Sequence, residues 1–373
     1  MALYIGLISG TSLDAIDAAI VSFEDNAVEL LQYSEHPYHQ QTRQALQTVI
    51  AESASTPART LYQLHVQVGV EFAQAASAAL RSAKIAAPEI TAIGSHGQTI
   101  AHFPDSSPPY SIQIGDPSTI SVVSEITTVA DFRAADLAAG GQGAPLVPPF
   151  HAQLFTGGAD TAVILNIGGL ANISVLRKDE DRVVGFDTGP GNTLMDLWIT
   201  KHANQHFDKD GVWSKSGSCD EHLLKTLLDD PFFERAPPKS TGREYFNLDW
   251  LNQKLADAQL QAAQPQDVQA TLMQLTVRSI ASAIVEHVPD ATMIIVCGGG
   301  ALNGEILKQL DIALPEQSVI TSAHFGVDPC AIEAMAFAWL AKQAIEGRPV
   351  ATPPATGASK PVVLGGIYGN ANR

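Results

Sequence analysis

Leu3-Tyr-Ile-Gly-Leu-Ile-Ser-Gly-Thr-Ser-Leu-Asp-Ala-Ile-Asp17 opens the chain. Its apolar run from Leu3 to Ile8 reads as a buried strand that Ser9-Gly10-Thr11-Ser12 stops in a tight turn. Two more strands are expected at about residues 17–23 and 28–33, and strand–turn–strand at this spacing predicts antiparallel neighbours. A long helix is expected over residues 59–85. There Leu61, Leu64, Val68, Phe72, Ala76 and Leu80 recur every three or four positions as one apolar stripe, and Pro88 ends the pattern. Three short strands then each run into a polar turn: residues 90–93 into Ser95-His96-Gly97-Gln98-Thr99, residues 110–114 into Gly115-Asp116-Pro117, and residues 127–130 into Asp131-Phe132-Arg133. In α/β sheets ligands sit at the carboxyl ends of strands, so these turns are site candidates.

Residues 134–150 are rich in Gly, Ala and Pro and read as a crossing between two domains. The pattern then restarts, with Asn166-Ile-Gly-Gly-Leu-Ala-Asn172 as a hairpin whose glycines stand at the bend, mirroring the opening Gly-Thr-Ser turn. Helices are expected at residues 193–203, 219–228, 249–261 and 266–287. A strand at 292–296 ends in Cys297-Gly298-Gly299-Gly300-Ala301-Leu302-Asn303, where a helix begins. A last helix, capped by Asp328 with Pro329 at its first position, runs to about residue 345, and residues 347–361 read as a surface connection. The expected domains are 1–150, joined by 346–373, and 151–345, the second with helical insertions.

Composition narrows the classes. The chain has 373 residues, enough for two domains, with 22 Lys and Arg against 39 Asp and Glu, a formal charge of −17. Hydrophobic residues make up 45 %, which excludes a disordered chain, and so acidic a balance argues against a nucleic-acid partner. The N-terminal run lacks the basic region of a signal peptide, and no apolar run reaches the ~20 residues that span a bilayer. Cys219, Cys297 and Cys330 lie far apart with no CxxC pair, so the expectation is a cytoplasmic protein without disulfides or structural zinc.

Three Gly-rich bends follow strands: residues 9–14, 166–172 and 298–303. Glycine lets backbone N–H groups approach phosphate, and the hydroxyls of Thr11 and Ser12 add donors. Neither a GxxxxGK[ST] loop nor a GxGxxG fingerprint is present. The set suits a nucleotide clasped between two domains, with its triphosphate at the first two bends and its nucleoside at the third. Asp187, in Gly185-Phe-Asp-Thr-Gly-Pro-Gly-Asn192, is a carboxylate at a strand end among residues that hold the backbone tightly. It suits a catalytic base; the alternative is a turn or cap residue. His96, Gln98 and Thr99 are candidate substrate contacts. Arg133 is a natural partner for a substrate carboxylate, or else an internal partner of Asp131 or Asp136.

Gly6-Leu-Ile-Ser-Gly-Thr-Ser-Leu-Asp14, Ser95–Thr99, Gly140-Gly-Gln-Gly-Ala-Pro-Leu-Val-Pro148, Leu165-Asn-Ile-Gly-Gly-Leu-Ala-Asn-Ile-Ser174, Gly185–Asn192, Lys239-Ser-Thr-Gly-Arg-Glu-Tyr-Phe-Asn247 and Cys297–Asn303 occur in order. Together they resemble the anhydro-N-acetylmuramic acid kinase family, over essentially the whole chain. The resemblance implies an α/β, two-domain, actin/hexokinase-like (ribonuclease H-like) fold with an interdomain ATP cleft. It implies ATP and Mg²⁺ as cofactors, an anhydrosugar substrate, a place in cell-wall recycling and a homodimer; composition adds the expectation of no membrane or nucleic-acid partner. Residue by residue it implies Asp187 as catalytic aspartate and Gly10, Thr11, Ser12, Leu13, Asp14 and Asp17 at the ATP phosphates, to which the reading of the bends adds Gly168 and Gly169. Gly298, Gly299, Gly300 and Asn303 would meet the nucleoside. His96, Gln98, Thr99 and Arg133 are the expected sugar contacts, and Asp14 and Glu333 the expected Mg²⁺ carboxylates. Ala15 stands where the family usually has Gly, and Tyr368-Gly369 where it has Tyr-Pro. Two alternatives stay open: a kinase of another anhydrosugar such as levoglucosan, and a nucleotide switch of the same fold.

Overall fold

The computed structural model describes residues 2–10, 13–24, 27–51, 55–155, 159–178, 180 and 183–369. The chain divides into two compact units, Met1–Leu154 with Ala331–Arg373, and Phe155–Cys330.

In the first unit, β1 (Ala2–Ser9), β2 (Ala15–Glu24) and β3 (Ala27–Pro37) form the expected antiparallel meander. Parallel to β1 on its other side lies β4 (Ile90–Phe103), followed by β6 (Thr128–Ala130) and the antiparallel edge β12 (Gly366–Tyr368); β5 (Tyr110–Ile114) pairs with the far end of β4. In the second unit, β7 (Thr161–Ile167), β8 (Leu170–Arg177) and β9 (Val184–Pro190) form another antiparallel meander. There β10 (Met293–Cys297) lies parallel to β7, and β11 (Ser318–Thr321) parallel to β10. The first sheet therefore runs β3-β2-β1-β4-β6 and the second β9-β8-β7-β10-β11, the same order with the same directions. This is the ribonuclease H-like order that the resemblance implies, and it makes the opening Gly10 bend the counterpart of the Gly168-Gly169 bend.

The helix Ala58–Ala83 buries Leu64, Val68, Phe72, Ala76 and Leu80 of the predicted stripe in the first unit's core, with Leu61 only partly buried against it. It ends at Lys84, which takes the left-handed conformation at φ 58°, rather than at Pro88. Residues 134–150 are not a plain crossing, because the helices Phe132–Ala138 and Pro148–Leu154 occupy both ends and the unit boundary falls after Leu154. The largest departure is the last helix. It starts at Ile332, since Asp328 accepts from Cys330 N and so caps only the turn before it, and it belongs to the first unit. Two strand glycines explain this. A Cβ on Gly6 would lie 1.7 Å from the Ala334 carbonyl oxygen, and one on Gly94 2.0 Å from that of Phe337. The bare backbones of β1 and β4 let a helix rich in alanine dock at close range.

The tail also differs from a surface connection. Thr352 and Thr356 are buried and donate to Asp136 Oδ1 at 2.6 and 2.8 Å, while Gly143 N donates to its Oδ2 at 2.8 Å. Asp136 is thereby committed to the tail. In the second unit the helix Pro265–His287 is long and apolar enough to cross a membrane by length and composition, yet 78 % of its apolar window is buried, much of it in the unit's core with the sheet residues Val163, Leu165 and Ile173.

Candidate active site

The first bend sits where β1 ends. Thr11 and Ser12 lie outside the described residues. Gly10 O accepts from Leu13 N at 3.4 Å, and a Cβ on Gly10 would meet nothing within 4 Å, so the space above the bend is open. Leu13 has φ 58° and a buried side chain in the core, which makes it the anchor of the bend rather than a side-chain contact to phosphate. Asp17 lies on β2, not on the loop, and accepts from Tyr33 OH at 2.7 Å. Asp14 is exposed and paired with Arg43 at 2.6 Å.

The expected turn at Ser95–Thr99 is a bulge inside the long strand β4. Pairing with β1 skips from Leu7↔Ser95 to Ser9↔Gln98, and Gly97 takes φ 74°, which re-aims the side chains on either side. They part company. Gln98 is buried and bonds Gly10 O at 3.4 Å and Tyr38 OH at 3.4 Å, so it props the first bend and is not a cavity residue. Thr99 accepts from Gln113 at 3.1 Å. His96 turns to Arg133, whose Nε donates to its Nε2 at 3.1 Å. Of the four expected sugar contacts, these two are brought together.

A cavity of about 280 Å³ opens at the ends of these strands, with Ser95, His96, Asp116, Asp131 and Tyr368 among its walls. Asp116 caps the helix Pro117–Ser124 through Thr119 N at 3.0 Å, a local reason for an aspartate ahead of Pro117. Tyr368 OH donates to Asp131 Oδ2 at 2.6 Å, and that bond, with burial, pushes the phenol up to about 12. Asp131 and Asp136 thus have partners of their own, and Arg133, weighed from sequence as their internal partner, meets His96. Ser95, named from sequence only as part of its turn, has an Oγ without a hydrogen-bond partner among the described residues, and Tyr368, noted only as a departure from the family pattern, also lines the wall. Tyr368 is brought there only by the pairing of β12 with β6.

In the second unit the hairpin bend is tied to the next helix. Gly168 O accepts from Asn192 N at 2.8 Å, and Gly169 O from Gly191 N and Thr193 N at 2.9 Å each. A Cβ on Gly191 would stand 2.4 Å from Gly168 O, so glycine is required for that approach. Beside it, Gly298 has φ 77°, and a Cβ there would meet Asn166 Oδ1 at 2.3 Å. Gly300 abuts the Ile167 side chain, while Gly299 has only Asn192 Nδ2 at 4.0 Å from its Cβ position. The three glycines therefore differ: the first and third pack on β7, and only the middle one faces space. Asn303 caps the helix Gly304–Ala313 through Glu305 N and Ile306 N, both at 3.2 Å, so its oxygen is engaged locally.

Asp187 stands on β9 opposite Asn172, with a register shift in β8 between Ala171 and Asn172. Its backbone N–H donates to Lys239 O at 3.0 Å, and its Oδ2 accepts from Thr241 N at 2.8 Å. The segment Lys239–Thr241 therefore grips this residue at both ends. Thr241 was missed because its contribution is a backbone N–H, which no residue type announces. The only signal was the run Lys239-Ser-Thr-Gly-Arg243 itself. Among the described residues no group of three or more His, Cys, Asp or Glu stands together as a metal cage, and Glu333 lies in the first turn of the helix Ile332–Ile345.

Comparison with known proteins agrees over nearly the full chain. A sequence family described as "Anhydro-N-acetylmuramic acid kinase" matches residues 2–370. A protein of that name from Aliivibrio fischeri is 47 % identical over 366 residues, covering 98 % of this chain and 98 % of the relative. Another from Coxiella burnetii is 43 % identical over 366 residues, covering 98 % and 97 %. Among solved structures, the activator of 2-hydroxyisocaproyl-CoA dehydratase from Clostridium difficile with bound ADPNP superposes with a TM-score of 0.45 at 12 % identity, covering 92 % of this chain and 97 % of that one. So loose a superposition says nothing about the site.

Proposed function

Because the chain belongs to the anhydro-N-acetylmuramic acid kinase family, we propose that it opens 1,6-anhydro-N-acetylmuramic acid with water and transfers the γ-phosphoryl group of ATP to O6. It is a kinase, and the products are N-acetylmuramic acid 6-phosphate and ADP, in the recycling of cell-wall sugar. The observation that carries the reading is the Asp187 carboxylate, oriented by the Thr241 N–H at 2.8 Å. A base must be fixed within reach of its proton, and a backbone donor on one oxygen fixes the carboxylate plane.

In this proposal Asp187 takes a proton from the water that attacks C1 on the face opposite the bridge, as the base of an inverting glycosidase does. The C1–O6 bond breaks as the water oxygen bonds to C1. The departing O6 attacks the γ-phosphorus, and ADP leaves with the electron pair of the bridging oxygen. No separate acid is required, because the charge arriving on O6 passes into the phosphoryl group. The bends at Gly10 and at Gly168-Gly169 take the ATP phosphates, with Gly299 the nearest of the late glycines to the nucleoside. Arg133, held by His96, takes the lactyl carboxylate.

Bound with ATP, Mg²⁺ would neutralise charge on the phosphates. Such an ion is ordinarily held by one or two carboxylates plus the phosphates. Asp14, which also pairs with Arg43 at 2.6 Å, and Glu333 are the protein carboxylates of this proposal. The same reading carries a cytoplasmic homodimer.

The experiment is ADP release from Mg·ATP with 1,6-anhydro-N-acetylmuramic acid, levoglucosan or N-acetylmuramic acid. Stimulation by the first sugar alone is the expected result. Stimulation by levoglucosan alone, or a sugar-independent ATPase, overturns the substrate assignment.

A further inference from the structure

Lys239 is 6 % exposed, a costly place for an ammonium group. Its Nζ donates to the carbonyl oxygens of Phe232 at 3.4 Å and Phe233 at 3.2 Å, and lies 4.9 Å from the centroid of the Phe232 ring. Burial lowers its pKa from the ordinary lysine value; Glu286 on the helix Pro265–His287 and Asp187 on β9 oppose that shift, and Arg235 adds to it. An apolar side chain would fill this space at no desolvation cost. The charged donor is thus spent on fixing a register between two backbone segments.

Those two segments both bear on Asp187. One is Lys239–Thr241, whose carbonyl and N–H engage the backbone and carboxylate of Asp187. The other is the Phe232-Phe233 turn. The Phe233 ring lies so close to Gly189, two residues beyond Asp187 on β9, that a Cβ there would stand 2.7 Å from Phe233 Cε1. Asp187, Gly189, Phe233 and Lys239 therefore form a closed ring of contacts, and the ammonium is its clasp.

We propose that Lys239 is a positioning residue for the reaction: it locks the Lys239–Thr241 segment to the Phe232-Phe233 turn and so sets the orientation of the Asp187 carboxylate. The proposal rests on the reading of Asp187 as the base. Lys239 touches no reacting atom; it acts through the Thr241 N–H.

The test is Lys239→Met, which keeps the stem and removes the donors, assayed by steady-state ADP release on the full chain. The expected kcat falls about 10- to 100-fold, the scale for a misplaced reacting group, with KM for ATP and for the anhydrosugar each changed by less than about twofold. Lys239→Gln, whose amide retains a donor, should lose less. On an Asp187→Asn background, Lys239→Met should remove nothing further, because a residue that acts only through Asp187 has nothing left to orient. Thermal melts identify any folding loss; where Lys239→Met melts early, the Gln variant and its Asp187→Asn pairing carry the test. A rise in both KM values at constant kcat overturns the proposal. So does an equal loss of rate in the Asp187→Asn background. If Asp187→Asn itself stays near normal, the base assignment fails. If it is inactive while Lys239→Met is normal, only the positioning role fails.

Discussion

Arg133 donates from Nε to Nε2 of His96 across 3.1 Å, while Nδ1 of the same imidazole faces the Gly97 carbonyl at 3.0 Å. Only one tautomer satisfies both contacts: Nδ1–H donates to the carbonyl, and the Nε2 lone pair accepts from the guanidinium. Burial first, and the Arg133 charge second, hold the His96 pKa well below its ordinary value, so the ring stays neutral. His96 thus fixes the direction of a cation in an acidic protein. If Arg133 takes the substrate carboxylate equally in ground and transition states, Arg133→Ala raises the sugar KM more than it lowers kcat. His96→Leu removes the acceptor and should raise the same KM by a smaller factor, with the ATP KM unmoved. Initial-rate kinetics with each substrate varied in turn check this; an unchanged sugar KM in Arg133→Ala removes the residue from the sugar contact.

Asp187→Asn is expected to lower the rate by about 10²–10⁴-fold, the usual worth of a positioned base. The asparagine oxygen can still accept from the Thr241 N–H, so the melting temperature should hardly move. A variant with near-normal ADP release contradicts the assignment. One that melts much earlier than the parent shows instead that the clasp needs the charge.

Gly6→Ala should destabilise the first unit by about 3 kcal/mol or more, at the upper end of overpacking costs. The added Cβ would lie 1.7 Å from the Ala334 carbonyl oxygen and 2.7 Å from Ala338 N, backbone atoms that cannot rotate away. Gly10→Ala is the control, since its Cβ would meet nothing within 4 Å. Urea denaturation of the two variants should separate them clearly. Equal midpoints would mean that the helix Ile332–Ile345 does not sit against β1 as described.

These cases also mark how far the sequence could be read. The strands up to β10, the hairpin at Asn166–Asn172 and the stripe of the helix Ala58–Ala83 were legible because alternation, turn residues and helical spacing are local signals, while the short edge strands β11 and β12 were not. The unit to which the last helix belongs was not. That helix is apolar on nearly every side, so its pattern names no partner, and the decisive partners are the missing side chains of Gly6 and Gly94. At the site, the residue types at Asp187, His96 and Arg133 drew notice, but the bulge at Gly97 sends His96 and Gln98 to different partners. A one-residue change of register in a strand reverses the facing of a side chain, and composition does not record it.

Acid should unfold this protein through its buried neutral histidines. His151 is 2 % exposed in the helix Pro148–Leu154, and burial pushes its pKa down to about 3 from 6.5. His102 is lowered to about 4 by burial and then by Arg133, and His96 moves in the same direction. Each group has a folded pKa below its unfolded one, so the unfolded chain takes up the proton first as pH falls. The associated stability is fully present above about pH 6.5 and is lost progressively below it, until the folded pKa is reached. For His151 alone the loss at pH 5 is about 2 kcal/mol, at about 1.4 kcal/mol per pH unit. Melting temperature should therefore fall steeply between pH 7 and pH 5, and His151→Leu should flatten that slope whatever it does to stability at pH 7. If the slope of His151→Leu matches the parent, this imidazole is already protonated in the folded state, and the acid sensitivity belongs to His96 and His102. A matching series of His96→Leu melts then identifies which of the two carries it, because loss of that imidazole also releases Arg133 and would change the sugar KM in the same samples.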